Sequence, residues 1–282
     1  MEAITTKTKL VAILGSPVGH TLSPAMHNAA FRMLGLDYYY LPIEVSSENL
    51  GAVVNGLRWM NYAGFNVTMP HKVAIRQYLD EIDGLADLVG AVNTVVIRDG
   101  RFKGYNTDGT GFIHALEQEK GMSVRDKKIL ILGAGGAAKS IALALAANSA
   151  SEIAICNRTP DKAMDLAGHI NRQLRPCSRF LPLAPESAVA SLAEMDIIIN
   201  TTSIGMAPDH EGLPLDTRLL NPRQLVCDIV YHPLQTRFLR EAENIGCPTM
   251  NGLGMLVYQG AEAFTLWTGQ PAPVAVMRAA IT

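Results

Sequence analysis

The sequence has few cysteines and no cysteine pairs. Cys156, Cys177, Cys227 and Cys247 are spread singly and form none of the Cys-x-x-Cys or Cys/His spacings that metal sites and redox motifs need. Each lies in or beside an apolar stretch, which favours reduced packing residues over nucleophiles. We therefore expect no metal site and no disulfide framework.

An excess of charge of one sign is also missing. The sequence has 24 lysines and arginines against 26 aspartates and glutamates, a net charge of -2, and no basic stripe that could neutralise a run of phosphates. Nucleic acid is therefore excluded as a partner. No apolar stretch reaches the roughly 20 residues of a membrane helix, and the N-terminal sequence has no cleavable apolar signal. We expect a cytoplasmic protein without a membrane partner, either monomer or homodimer.

Apolar β-type runs alternate with helical patterns along 282 residues, a length that suits two domains. In the first part, TKLVAILG, YYYLPIEV and GFNVTMP predict strands. Helices are predicted after Ser23-Pro24, an N-cap and a proline at the first helical position, over SENLGAVVNGLRWM, and over KVAIRQYLDEI up to Gly84. AVNTVVIRDGRFKGYN joins two extended runs by Asp99-Gly100, a strong hairpin signal. This pattern predicts an α/β domain with a mixed sheet.

The second part begins with a helical pattern around GTGFIHALEQEKG. The strand KKILILG, a glycine-rich turn, an alanine-rich helix and the strand SEIAICN follow, which is the βαβ unit of a Rossmann-type domain. Further strands are predicted at EMDIIINTT and QLVCDIVY, and two final helices at GMLVYQGAEAFTLW and APVAVMRAAI. We predict one domain over 1–107, completed by C-terminal helices of 252–282 that pack back on it, and a second over 108–251.

The strongest motif is the glycine-rich turn GAGGAAKS. Gly133, Gly135 and Ala138 fit G-x-G-x-x-G/A directly after an apolar strand and before a helix. Small residues there let backbone N–H groups and the positive end of the helix dipole approach a pyrophosphate. A tight βα turn that binds nothing would have the same pattern. The candidate dinucleotide contacts are Gly133, Ala134, Gly135, Gly136 and Ala137.

The end of the next strand indicates which dinucleotide is bound. NAD-binding Rossmann units usually have an acid there for the ribose hydroxyl, but this sequence has Asn157-Arg158-Thr159, with Lys162 one turn later. A guanidinium, two small polar side chains and a second cation suit the 2′-phosphate of NADP. Arg158 alone could equally be an exposed surface residue, so the inference depends on its register after the glycine turn.

The strings GSPVGHTLSPAMHNAAF, NVTMPHK, GAVNTV, GYNTDG, GAGGAAKS, NRT, NTTSIGM and NGLGMLVYQGAEAF together span nearly the whole chain. Their order and spacing resemble those of the shikimate dehydrogenase family. The resemblance implies a two-domain fold, with substrate binding and catalysis in the first domain and NADP binding in the second. It also implies reversible NADP-dependent reduction of 3-dehydroshikimate to shikimate, in the pathway to the aromatic amino acids.

The resemblance further implies roles for individual residues. Lys72 in NVTMPHK would be catalytic, with Asp108 in GYNTDG as its partner. The implied substrate contacts are Thr21, Ser23, Thr68, Asn93, Asp108, Tyr231 and Gln259. The implied cofactor contacts are the glycine turn, Asn157, Arg158, Thr159, Lys162, Ile229 and Gly252. The hydroxyl, amide and ammonium groups of the catalytic and substrate-binding residues suit a small polyhydroxylated acid.

Without the resemblance, each of these residues has an ordinary structural interpretation. Lys72 would be a solvated lysine, Asp108 and Ser23 would be helix caps, Asn93 a turn residue and Gln259 an exposed helical residue. The functional roles of these residues are therefore inferred from the resemblance and not from periodicity.

One residue departs from the family pattern. The first hydroxyl of the usual Ser-x-Ser is Thr21, whose extra methyl group bears on whether shikimate, quinate or both are accepted. A quinate/shikimate dehydrogenase with relaxed cofactor use is the nearest alternative. The family members that use quinate and NAD tend to have an acid at the position of Thr159. A non-catalytic NADP-binding sensor is the alternative from another class, since it would need neither Lys72 nor Asp108.

Overall fold

The computed structural model describes residues 4–182 and 191–282, which form two compact units. Unit 1 comprises Met1–Thr107 and Val257–Thr282, and unit 2 comprises Asp108–Leu256. Within the described ranges no helix has both the length and the hydropathy needed to cross a membrane.

Unit 1 is built on a mixed six-stranded sheet. The strands are β1 (Lys9–Gly15), β2 (Tyr38–Glu44), β3 (Tyr62–Val67), β4 (Glu81–Ile82), β5 (Thr94–Arg98) and β6 (Arg101–Tyr105), in the order β2-β1-β3-β5-β6-β4. β1 pairs in parallel with β2 and β3, whereas β5 is antiparallel to β3 and β6. Asp99 and Gly100 join β5 to β6 with φ angles of 51° and 70°, the left-handed pair of a type I′ hairpin turn. The predicted hairpin and mixed sheet are confirmed.

Two apolar clusters lie in unit 1, and helices complete both of them. α1 (Ser23–Met33) and the C-terminal segment supply one cluster, while α2 (Leu50–Leu57) and α3 (Gly84–Val89) supply the other. In the first cluster the indole of Trp267 donates to the Val95 carbonyl oxygen at 3.0 Å. A Cβ at Gly64 would overlap both groups, so only glycine allows this approach. The predicted packing of the C-terminal helices on the first domain is confirmed.

The segment KVAIRQYLDEI, residues 72–82, does not form the single helix predicted for it. The chain makes a short 3-10 helix, Ala74–Tyr78, and then the edge strand β4, which pairs with β6. The Asp80 carboxylate accepts from the Phe102 backbone N–H at 2.7 Å, and Asp83 caps α3 by accepting from Leu85 N at 3.0 Å. Gly84 therefore begins a helix instead of ending one. Sheet hydrogen bonds to β6 outweigh the local helical pattern.

The start of α1 also differs in detail. Ser23 is its first helical residue, the N-cap position is Leu22, and no side chain caps the helix there. Instead Thr21 Oγ1 accepts from Ser23 N at 3.3 Å, a local turn in which the hydroxyl replaces a cap.

Unit 2 is a Rossmann-type fold, as predicted. Its strands are β7 (Lys128–Leu132), β8 (Glu152–Cys156), β9 (Ser178–Phe180), β10 (Ile197–Asn200), β11 (Leu225–Asp228) and β12 (Thr249–Met250), all parallel, in the order β12-β11-β10-β7-β8-β9. Its helices include α4 (Asp108–Lys120), α5 (Gly136–Ala147), α6 (Pro160–Gln173) and α7 (Arg237–Ile245). The strand order reverses between β7 and β10, where open α/β sheets bind ligands.

The last two helices are α8 (Leu253–Thr268) and α9 (Val274–Ala279). The four cysteines are free and buried, and burial raises the pKa of the Cys156 thiol to about 11. Their interpretation as packing residues is confirmed.

Candidate functional site

The glycine turn lies between β7 and α5 in unit 2. Gly133 has a φ of 113°, and a Cβ there would lie 2.6 Å from Thr201 Oγ1. Both the backbone conformation and the lack of space therefore require glycine at this position. Gly135 and Gly136 are exposed, and a Cβ on either would meet nothing within 4 Å. The N-cap of α5, Gly135, provides no side-chain hydrogen bond. The first N–H groups of α5 therefore lie next to open space, an arrangement that suits an anion.

The second turn follows β8, which is the parallel neighbour of β7, so both turns lie at the same edge of the sheet. The Asn157 amide donates to the Thr159 carbonyl at 2.9 Å and closes this turn before α6 begins at Pro160. Arg158, Thr159 and Lys162 are exposed. Residues 157–159 contain one cation, Arg158, and no acid, and Lys162 in α6 is a second cation, which is chemically suited to a phosphate.

The loop after β11 brings Ile229, Tyr231 and Gly252 together. Gly252 N donates to the Val230 carbonyl at 3.1 Å, and a Cβ on Gly252 would overlap the Ile229 backbone. Tyr231 is half-buried, and burial raises the pKa of its hydroxyl. Glycine at 252 is thus required by close backbone approach, which no periodicity in the sequence reveals.

An unpredicted buried carboxylate lies beneath this loop. Asp228 is 1% exposed, and it accepts hydrogen bonds from Asn200 Nδ2, Val230 N and Thr236 Oγ1 at 3.0, 3.0 and 2.8 Å. Burial raises the pKa of this carboxyl to about 6, while the three hydrogen bonds oppose the rise. The sequence signal that would have identified it is an acid at the end of the otherwise apolar strand LVCD.

In unit 1, Thr68, Lys72 and Asn93 lie at one edge of the mixed sheet. Thr68 N donates to Leu14 O at 2.9 Å at the end of β1, and Val67 N donates to Asn93 O at 2.8 Å. The Lys72 carbonyl accepts from Val92 N at 2.8 Å. The backbone thereby brings together three of the predicted site residues, in the loops that leave β3 and enter β5.

The side chain of Asn93 is held by a buried polar ladder that sequence reasoning missed. The Tyr40 hydroxyl donates to Asn66 Oδ1 at 2.7 Å, and Asn66 Nδ2 donates to Thr94 Oγ1 at 3.0 Å. Thr94 Oγ1 and Thr107 N donate to Asn93 Oδ1 at 3.0 and 2.9 Å. These contacts fix the amide of Asn93, so that its oxygen faces inward. The ladder residues interrupt apolar strands, and only the three-dimensional pairing relates them.

The remaining predicted residues are placed as follows. Thr21 Oγ1 donates to Ser23 Oγ at 3.3 Å, so the two hydroxyls at the start of α1 are adjacent. Gln259 is half-buried in α8, and Lys72 is half-buried in unit 1. Asp108 is the first residue of α4 in unit 2 and is 7% exposed. His71, next to Lys72, is 1% exposed with Nε2 2.7 Å from the Val45 carbonyl oxygen, so its ring is held in a structural contact.

Family models match three stretches of the chain. They are described as the shikimate dehydrogenase substrate binding domain, over residues 13–95, shikimate / quinate 5-dehydrogenase, over 115–207, and the shikimate 5'-dehydrogenase C-terminal domain, over 252–282.

Similar proteins span nearly the full length. A shikimate dehydrogenase (NADP(+)) of Moorella thermoacetica is 47% identical over 277 residues, covering 98% of this chain and 94% of the relative. The structure of shikimate 5-dehydrogenase from Listeria monocytogenes with shikimate and NAD is 43% identical, with a TM-score of 0.93 and coverage of 99% and 98%. A ligand-free 5-ketofructose reductase of Gluconobacter is 37% identical, with a TM-score of 0.90 and 98% of each chain covered.

Proposed function

Because the chain belongs to the shikimate dehydrogenase family, we propose that it catalyses the reversible NADP-dependent reduction of 3-dehydroshikimate to shikimate. The observation that carries this proposal is the similarity to an NADP(+) shikimate dehydrogenase along 98% of the chain. The two cations and the missing acid after β8 support NADP over NAD.

The residues of unit 2 fit the cofactor. The exposed glycines and the uncapped start of α5 would hold the pyrophosphate, through Gly133, Ala134, Gly135, Gly136 and Ala137. Asn157, Arg158, Thr159 and Lys162 would hold the 2′-phosphate, and Ile229 and Gly252 would lie beside the nicotinamide. NADPH held there would supply the hydride for the ketone carbon.

The protein must then supply a proton. Lys72 donates it from its ammonium group to the oxygen of the reduced ketone, and Asp108 orients that ammonium and holds a ring hydroxyl. Thr21 and Ser23 bind the carboxylate end, while Thr68, Asn93, Tyr231 and Gln259 bind the ring hydroxyls and exclude water. The amide of Asn93 is held in one orientation because its oxygen accepts from Thr94 and Thr107 and its Nδ2 donates to Thr107 Oγ1 at 3.0 Å, so it would meet substrate without reorganising.

Substrate binding and cofactor binding are assigned to different domains. Residues 1–107 with 252–282 would bind substrate and carry Lys72, and residues 108–251 would bind NADP. A cytoplasmic location and a monomer or homodimer complete the proposal; cell fractionation and sedimentation test them.

The first experiment is a panel of shikimate, quinate and 5-ketofructose with NADP(H) and NAD(H). We expect the highest kcat/KM with shikimate and NADP. Efficient turnover of quinate with either cofactor would favour the quinate/shikimate alternative. NADPH binding without turnover of any of the three would favour the sensor.

Lys72→Ala is expected to lower kcat by roughly two to four orders of magnitude, the usual general acid–base contribution, and to leave the NADP Kd nearly unchanged. Asp108→Ala should lower kcat and raise the KM for shikimate. The double variant should be much less impaired than the product of the single effects, because both remove one constellation.

Lys9→Ala, at an exposed lysine of the same unit, is the matched control and should retain full activity. Near-normal turnover in Lys72→Ala, or multiplicative losses in the double variant, would mean that the acid is another residue.

A further inference from the structure

The ends of β10 and β11 are joined by one polar cluster, the Asp228 cluster, formed by the buried Asn200, Asp228, Val230 and Thr236 and the half-buried Thr202. Its centre is the Asp228 carboxylate, which receives three donors, all of them neutral. A carboxylate at 1% exposure costs free energy unless several donors compensate it, so this group is held in one arrangement.

The first tie runs to the loop after β10. Asn200 Oδ1 accepts from Thr202 N and Thr202 Oγ1 at 3.1 and 2.7 Å, which fixes the orientation of the amide. Asn200 Nδ2 is thereby directed at Asp228 and also donates to Ile204 O at 3.2 Å. The loop beneath the glycine turn is thus connected to the carboxylate by an amide that cannot flip without losing its partners.

The second tie holds the segment 229–231. Val230 N donates to Asp228 Oδ1, Ile229 N donates to Asn200 O at 3.1 Å, and Val230 O accepts from Gly252 N. Val230 is therefore fixed from both sides. Its two neighbours in the chain, Ile229 and Tyr231, are the residues assigned to the nicotinamide and the substrate.

The third tie closes the far end of the loop. Thr236 Oγ1 donates to Asp228 Oδ2 and accepts from Leu239 N at 3.3 Å, which makes Thr236 the N-cap of α7. The loop between β11 and α7 is consequently anchored at both ends by one carboxylate.

We propose that Asp228 is a positioning residue for the reaction: its carboxylate sets the backbone of 229–231 so that Tyr231 meets the substrate and Ile229 meets the nicotinamide. The inference rests on the proposed function, and Asp228 acts through Tyr231 and Ile229 without touching substrate.

Three substitutions separate positioning from simple stability. Asp228→Asn keeps an oxygen for Asn200 and Val230, and its new amide can donate to Thr236 Oγ1, so kcat and KM should stay within about threefold of wild type. Asp228→Ala removes all the acceptors and should raise the KM for shikimate by about tenfold, with a loss in kcat, as one or two hydrogen bonds to substrate are lost. Tyr231→Phe should raise KM by itself.

The control residue, Asp196, lies at the other end of the strands of the same sheet. Asp196 Oδ2 accepts from Lys128 N at 2.8 Å at the start of β7, so Asp196→Ala also removes a carboxylate that anchors a backbone N–H. It should lower Tm while leaving the KM for shikimate unchanged.

The decisive measurement is the KM for shikimate per folded molecule in Asp228→Ala, Tyr231→Phe and the double variant. If Asp228 acts through Tyr231, the double variant should have a KM close to that of Asp228→Ala alone. Multiplicative increases in KM, or a KM in Asp228→Ala equal to that of Asp196→Ala, would overturn the inference and leave the proposed function intact. A wild-type protein that does not oxidise shikimate would overturn both.

Discussion

His27→Phe is expected to remove an acid-dependent loss of stability from unit 1. The imidazole is fully buried, and neither of its nitrogens has a hydrogen-bond partner among the residues that the structure describes. It is stacked on Tyr40 at 4.6 Å with an interplanar angle of 6°, and the Trp267 ring lies 5.3 Å away. Burial lowers the pKa of His27 from 6.5 to about 3, so the folded state holds the ring neutral.

The sign follows from where the proton binds. Below pH 6.5 the unfolded chain protonates this histidine while the folded chain does not, so the free energy of unfolding falls as the pH falls toward about 3. Between pH 7 and pH 5 the loss amounts to about 2 kcal/mol. Phenylalanine keeps a flat ring for the stack and cannot titrate.

Asp228 has the opposite effect on the pH dependence of stability. Its folded pKa of about 6 lies above the ordinary 3.8, so the folded state binds its proton first, and stability rises as the pH falls from about 6 to 4. Over pH 7 to 5 this offsets about 1.3 kcal/mol of the His27 effect. The two groups together leave a net loss of about 0.6 kcal/mol over this range, so the comparison with the variant is needed to reveal the contribution of the histidine.

The assay is urea unfolding of wild type and His27→Phe at pH 5, 6 and 7, followed by circular dichroism and by tryptophan fluorescence. The difference in unfolding free energy should shift by about 2 kcal/mol in favour of the variant between pH 7 and pH 5. His210→Gln, at an exposed histidine, should give a curve parallel to wild type. Parallel curves for wild type and His27→Phe would refute the reasoning.

Two further predictions concern specificity. Arg158→Ala should weaken NADP binding about ten- to a hundredfold, the range of one charge-assisted phosphate contact, and leave NAD binding unchanged. Fluorescence titration measures both Kd values, and Arg172→Ala, at an exposed arginine late in α6, is the control. Equal wild-type affinities for the two cofactors would contradict the prediction. Thr21→Ser should change the KM for shikimate more than kcat, and shikimate should outperform quinate in wild type, because Thr21 lies at the carboxylate end and its contacts are similar in ground and transition states. Steady-state kinetics with both acids measure this, and an unchanged KM with a greatly reduced kcat would argue against that position.

Elements with a strong local signal were predictable. The alternation of strands and helices, the Asp99-Gly100 turn and the βαβ unit each depend on residues near one another in the chain. The helix predicted over 72–82 was wrong because Asp80 and β4 find partners on β6, about 20 residues further along the sequence.

Residues that depend on long-range pairing could not be predicted. Asn66 and Thr94 look like ordinary polar interruptions of apolar strands until β3 and β5 pair and join them to Tyr40 and Asn93. The requirement for glycine at 64 and 252 likewise comes from distant backbone and from Trp267.

The packing of Trp267 against Gly64 has a consequence for how the protein emerges from the ribosome. The segment Val257–Thr282 completes an apolar cluster of unit 1 but is translated after all of unit 2. During synthesis, Met26, Phe31 and Tyr40 cannot complete their packing until Val257–Thr282 has been translated. The strands that the structure describes in unit 2 all end before Leu256, so unit 2 can close first. The first unit to be translated is thus the last to be completed, and nascent chains stalled before residue 257 should be the ones that chaperones retain.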